Sequence, residues 1–134
     1  MPLIDELNSM RDYFRSRKTY PVSFRKKQLR RFKEQVIRFE SQIYDALYAD
    51  LGKSKEECWA TENGFLIAEI NHVLKHLDEW ASDQQVSTNL LNFPSSSYVM
   101  QEPLGVVLII APWNYPFQLM LTPLVAAIAA GNCA

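Results

Sequence analysis

Charge of neither sign is in excess. Fourteen Lys and Arg stand against fifteen Asp and Glu, a formal net charge of −1 over 134 residues. That excludes a global attraction to nucleic acid or to an acidic membrane surface. Cysteine is scarce as well. Cys58 and Cys133 are the only two, and they form no CxxC or metal-spaced set, so a reduced, cytoplasmic setting is expected. The N-terminus, MPLIDELNSM, carries acidic residues and no apolar run, so it is not expected to be a signal peptide. A spanning helix needs ~20 unbroken apolar residues, and Pro112, Asn114, Pro116 and Pro123 interrupt the apolar region from Leu104 to Ala130. What remains is 48% apolar and 22% charged, an ordinary soluble composition with length for one domain.

Leu3, Leu7, Met10 and Phe14 recur at helical spacing and predict a short amphipathic helix, closed before Pro21. From Ser23 to about Leu51, the residues Leu29, Phe32, Val36, Phe39, Ile43, Ala46 and Leu47 trace one face of a single helix, roughly 40 Å long at 1.5 Å per residue. Gly52 is its expected stop. Arg25, Lys26, Lys27, Arg30, Arg31 and Lys33 cluster near its start. Without net positive charge or interleaved aromatics they read as a solvated face, with no nucleic-acid partner. Ser54-Lys55-Glu56-Glu57 is a capping box that opens a second long helix. Its stripe is Trp59, Leu66, Ile70, Val73, Leu77 and Trp80, and Gly64 within it marks a close packing contact. The short Gly52-Lys53 link predicts that the two long helices pack antiparallel. His72 and His76 lie four apart, a spacing that can bind zinc. They share a polar stripe with Glu69 and Glu79 and have no HExxH frame, so no metal is assigned. Ser82 to Ser97 reads as a surface loop, and Tyr98 to Glu102 as a short edge strand.

The last third organises the rest. Gly105 to Ala111 is an unbroken apolar run rich in Val and Ile, which predicts a strand buried on both faces. Pro112-Trp113-Asn114-Tyr115-Pro116 is a turn, and Phe117 to Ala130 is apolar nearly all round, a buried helix stopped by Gly131. A second strand is expected to begin near Asn132. In open α/β sheets ligands bind at the carboxyl ends of strands, and Asn114 sits at such an end.

EPLGVV, PWNYPF (Pro112 to Phe117) and AAGN in this stretch, with the turn DLGKS at Asp50 to Ser54, resemble the aldehyde dehydrogenase superfamily, most closely the class 3 or fatty aldehyde dehydrogenases. The resemblance implies an α/β fold of which this chain holds three pieces: a helical segment at 1–81, a loop and edge strand of an oligomerisation hairpin at 82–104, and the first β-α unit of a Rossmann-like cofactor-binding sheet at 105–134. Members of the family are several times longer, with the nucleophilic Cys and general-base Glu outside the part matched here. The chain therefore reads as an N-terminal fragment, inactive alone.

The activity implied is oxidation of an aldehyde to an acid through a cysteine thiohemiacetal, with NAD or NADP as cofactor. In that family the Asn of the motif donates its amide to the substrate oxygen, a role that falls on Asn114. A carboxamide is suited to it, being a donor without a titratable charge, and Pro112 and Pro116 restrict the backbone on either side. An Asn chosen only to make the turn is the alternative. By the same resemblance Ile110, Pro112 and Trp113 pass alongside the cofactor's ribose. Tyr115, Leu119 and Thr122 either line the aldehyde path or are ordinary core. The implied partners are a medium- or long-chain aliphatic or aromatic aldehyde and, in the full-length enzyme, a second copy in a homodimer. Cys133, at the start of a strand, is not the nucleophile; Cys58 lies in a first helical turn, where the dipole lowers a thiol pKa. A competing reading is a truncated, non-catalytic module that associates with full-length homologues.

Overall fold

A computed structural model describes residues 2–134. Among them, six helices and a two-stranded antiparallel sheet succeed one another: α1 (Pro2–Arg15), α2 (Val22–Arg38), α3 (Glu40–Leu51), α4 (Lys55–Cys58), a π turn (Trp59–Asn63), α5 (Gly64–Trp80), β1 (Gln84–Val86), a 3-10 turn (Leu90–Asn92), β2 (Ser97–Val99) and α6 (Pro116–Ala129). The fold is thus mostly helical.

The core lies where α2, α5 and α6 meet. Leu29 and Val36 of α2, Leu66, Ile70, Val73 and Leu77 of α5, and Val125 and Ala129 of α6 form one buried cluster, flanked by Phe32, Phe117 and Leu121 among others. On α2 and α5 these are positions that the periodicity predicts, but not all that it predicts: Phe39 and Ala46 of the first face and Trp59 and Trp80 of the second are exposed. Lys26 pairs with Asp78, and Lys33 Nζ donates to Asn71 Oδ1 at 2.7 Å. Ascending positions on α2 thus meet descending ones on α5, the antiparallel arrangement expected.

Four local expectations need correction. The predicted single helix 23–51 is two, parted at Phe39, where φ/ψ of −97°/11° leave the helical well. The break is slight, because Phe39 N still bonds Gln35 O and Ile43 N still bonds Phe39 O. The basic cluster is not wholly a solvated face. Arg25 is buried, its Nε donating to Thr19 O and its Nη1 to Ala129 O at 3.1 Å, so it satisfies a carbonyl at the end of α6 that has no partner within the helix. The supposed loop 82–97 contains β1 and the 3-10 turn. β1 pairs with β2 in the register Gln84 to Val99 and Val86 to Ser97, which makes the edge strand half of a hairpin.

The fourth correction concerns Gly105–Ala111. No strand forms there. A single parallel bridge joins Val106 to Cys133, through Val107 N to Cys133 O at 2.8 Å and Cys133 N to Gly105 O at 2.9 Å. The run is not buried on both faces either, since Leu108 and Ile110 are 84% and 85% exposed. The physical reason is that a ladder needs neighbours, and residue 133 offers one bridge and no more. The second strand expected near Asn132 is likewise reduced to that bridge at Cys133. α6 ends in a Schellman motif, with Asn132 N bonded to Ala127 O, Gly131 N bonded to Ile128 O, and Gly131 at φ +84°. Asn132 Oδ1 then accepts from Gly105 N at 2.9 Å.

Candidate functional site

The PWNYP turn lies between the extended segment and α6. Pro116 occupies the first turn of α6, where its missing N–H costs nothing, and Tyr115 is the N-cap. Pro112, Trp113 and Asn114 are exposed, and Tyr115 is half-buried. Leu119 and Thr122 lie further along α6 at steps of four and three, both half-buried, with Leu119 N bonded to Tyr115 O. Thr122 Oγ1 is buried without a hydrogen-bond partner among the described residues. Ile110 is exposed on the extended segment. The seven residues singled out in sequence all fall between positions 110 and 122, on the extended segment, the turn and α6. An apolar cleft of about 300 Å³ adjoins the turn, and it is lined by other residues: Ile43, Leu47, Pro116, Phe117, Met120 and Leu121.

What holds the turn comes from elsewhere in the chain. The capping box forms as expected, with Glu57 N donating to Ser54 Oγ at 3.2 Å, and Gly52 takes the left-handed conformation at φ +66°. Between them Lys53 points inward. Its ammonium lies 2.5 Å from Glu62 Oε1, 3.2 Å from the backbone oxygen of Asn114, and 3.9 Å from the centroid of the Tyr115 ring. The second carboxylate oxygen, Glu62 Oε2, accepts from Gln118 N at 2.8 Å. It thereby satisfies an orphan donor of α6 with negative charge at the positive end of the helix dipole. The Lys53 side chain is 7% exposed and that of Glu62 0%. Two buried charges are thus paired, and each also bonds the backbone of the 114–118 segment.

The π turn aims Glu62 inward. One extra residue in the turn rotates its neighbours about the helix axis, and Glu62 and Asn63 both end fully buried. Gly64 closes this turn: a Cβ there would lie 2.5 Å from the carbonyl oxygen of Trp59 and about 3.1 Å from its ring. This is the close contact expected of Gly64, made within the turn itself. Asn63 has both side-chain polar atoms buried without a partner among the described residues.

Burial disfavours the thiolate at both cysteines. Cys58 is fully buried, and burial pushes its pKa up; Lys53 opposes this, while Glu62 and Glu57 add to it. The lowering expected from the helix dipole is therefore outweighed by desolvation. Burial raises the Cys133 pKa as well. His76 Nδ1 is bonded to the backbone oxygen of His72, and no group of three or more metal-binding side chains exists among the described residues. No helix among them is long and apolar enough to cross a membrane.

Sequence reasoning missed Lys53 and Glu62 as parts of this site. A signal was present in DLGKS, a lysine in a two-residue link where a small polar residue would suffice, but its partner lies nine positions away across a π turn.

Known proteins resemble the chain in sequence and in structure. The profile of the Aldehyde dehydrogenase family matches residues 5–134. The 4,4'-diaponeurosporen-aldehyde dehydrogenase of Staphylococcus aureus is 48% identical over 122 residues, covering 91% of this chain and 27% of that protein. Aldehyde dehydrogenase family 3 member B2 of Mus musculus is 46% identical over 127 residues, covering 95% of this chain and 26% of that protein. The substrate-bound structure of Staphylococcus aureus AldH superposes with a TM-score of 0.92 at 45% identity, over 96% of this chain and 28% of that one. The chain thus spans about a quarter of the length of these relatives. With the profile matched over nearly all of its length, the chain belongs to the aldehyde dehydrogenase family.

Proposed function

We propose that the complete protein carrying this segment oxidises aldehydes to carboxylic acids with NAD or NADP, and that Asn114 donates its side-chain amide to the carbonyl oxygen of the substrate. The observation that carries the reading is the PWNYP turn, tied down through the backbone oxygen of Asn114 while the residue itself stays exposed. A donor that is rigidly held and accessible, and that carries no charge, is what a developing oxyanion requires.

In the proposed reaction a cysteine thiolate from outside these 134 residues adds to the aldehyde carbon, and the π electrons of the C=O bond move to oxygen. The amide of Asn114 stabilises that charge. Hydride then leaves the carbon, the thioester forms, and water releases the acid and restores the thiol. The cofactor would supply the acceptor for the hydride. Its ribose is proposed to lie beside Ile110, Pro112 and Trp113, all three of which are exposed. Tyr115, Leu119 and Thr122 are proposed to face the aldehyde, a medium- or long-chain aliphatic or aromatic one, with the unpartnered Thr122 hydroxyl as a polar point on that path. The 82–104 hairpin would reach a second subunit in a homodimer, and 105–134 would become the first β-α unit of a Rossmann-like sheet.

Asn114→Ala in the complete enzyme tests the reading. Turnover is expected to fall roughly 10²–10³-fold, about 2.7–4 kcal/mol of lost transition-state stabilisation. Cofactor affinity, followed by fluorescence titration, should hardly change. Near-normal turnover, or lost cofactor binding instead, would overturn the assignment.

A further inference from the structure

We propose that Lys53 and Glu62 are positioning residues for Asn114, acting as a buried two-point clamp on the peptide that carries the donor. The proposal rests on the reading of Asn114 as the oxyanion donor.

A buried ion pair is a poor means of adding stability, because desolvation offsets most of the attraction and an apolar pair of similar volume often does as well. What it supplies is direction. The Lys53 ammonium has three donors. One is at Glu62 Oε1 and one at Asn114 O, while the Tyr115 ring faces the cation. The carboxylate of Glu62 is divided likewise, with one oxygen for Lys53 and the other for Gln118 N. The clamp therefore grips the chain on both sides of Tyr115 and Pro116, at the 114–115 peptide and at the first turn of α6. Holding the carbonyl of Asn114 sets the plane of the 114–115 peptide and so narrows the directions in which the side chain leaves the backbone. Catalytic donors tolerate little error in that direction. Neither prolines nor packing can set it alone, since Pro112, Trp113 and Asn114 are all exposed. The clamp reaches the turn from behind and leaves the carboxamide accessible.

The test uses the complete enzyme. Lys53→Met leaves Glu62 as an unpaired buried charge, so the informative variant is the neutral pair Lys53→Met/Glu62→Gln. It is expected to lower kcat about 10-fold or more, the scale for a group displaced but not removed, with cofactor affinity unchanged. Amide exchange at residues 115–119 should quicken while that of α5 does not. In an Asn114→Ala background the same double change should alter kcat less than about two-fold, because the group it positions is gone. Should the neutral pair fail to fold, Glu62→Gln alone leaves one carbonyl acceptor where the carboxylate offered two, and a loss that again vanishes without Asn114 is expected. Equal losses in both backgrounds, or no loss in the first, would overturn the clamp and leave the donor role of Asn114 standing. Near-normal turnover of Asn114→Ala by itself would overturn both.

Discussion

Two regions of this chain carry large aliphatic residues of the same kinds and come to opposite outcomes. In the body formed by α2, α5 and α6, Leu29, Leu66, Ile70 and Val125 are 0% exposed. In the segment leading to the turn, Leu104, Leu108 and Ile110 are 84% exposed or more. The difference lies in the backbone. A helix satisfies its own N–H and C=O groups and needs neighbours only for side-chain cover, which α2 and α5, packed against each other, provide mutually. A buried strand needs a paired strand on each side, and residue 133 supplies a single bridge. Apolarity states that a residue will be covered; it does not state by what.

The sharpest way to break that comparison is a pair of truncations in the 134-residue chain. Leu66→Ala should cost about 2–5 kcal/mol of stability, as for other large-to-small changes in cores. Leu108→Ala should fall within about 0.5 kcal/mol of the parent, as surface changes do. In the complete protein, where we propose that a sheet covers residue 108, the cost of Leu108→Ala should rise towards that of Leu66→Ala. Urea unfolding of each variant beside its parent, in the short chain and in the complete protein, measures this. A large cost for Leu108→Ala in the short chain would mean that the segment is already packed.

The same distinction explains what could be read from the sequence and what could not. Features set by residues within one or two turns were legible: the Leu29–Val36 and Leu66–Leu77 faces, the capping box at Ser54, and the stops at Gly52 and Gly131. The break at Phe39 was not, because neither Gly nor Pro marks it and the hydrogen-bond ladder nearly continues. The π turn was not, because a period of about 3.6 does not anticipate one extra residue. Arg25 and Lys53 were hidden for a third reason. A cation in a charge run or a loop looks solvated until its partner is known, and those partners are Ala129 and Glu62. At the site, the motif pointed to Asn114 directly, while the clamp behind it depends on contacts 9 and 61 positions apart.

Gly131 joins the two regions, ending the covered α6 where the chain turns back towards Gly105. Gly131→Ala meets two obstacles: a φ of +84°, and the Arg25 guanidinium 2.8 Å from where its Cβ would sit. The arginine is tied to Thr19 and Ala129 and yields poorly. The expected cost is about 1–2 kcal/mol, read as a lower urea midpoint with unchanged slope. An unaltered midpoint would show that the return to Cys133 is loosely held, and that the exposed segment is less tied to the body than Arg25 suggests.

The smallest effect expected lies on α3, at the margin between the two regions. Tyr44 Oη donates to Glu40 Oε1 at 2.8 Å. Burial chiefly, then that hydrogen bond and the negative charge of Glu40, push its pKa up to about 12 from an ordinary 10.0. The neutral phenol is thus the form the fold favours. Between the two values the folded chain keeps a proton that the unfolded chain releases, so unfolding becomes easier as pH rises. The contribution is fully present below about pH 10 and is lost as pH climbs towards about 12. Cys58, whose pKa burial also raises, loses stability in the same direction, so the measurement must be differential. Urea midpoints of parent and Tyr44→Phe, taken from about pH 8 to about pH 11.5, should converge or cross as the parent loses its advantage, because Phe has no proton to lose. Parallel curves would mean that the Tyr44 phenol titrates alike in the folded and unfolded chain, and that this face of α3 is as open to water as the segment before the turn.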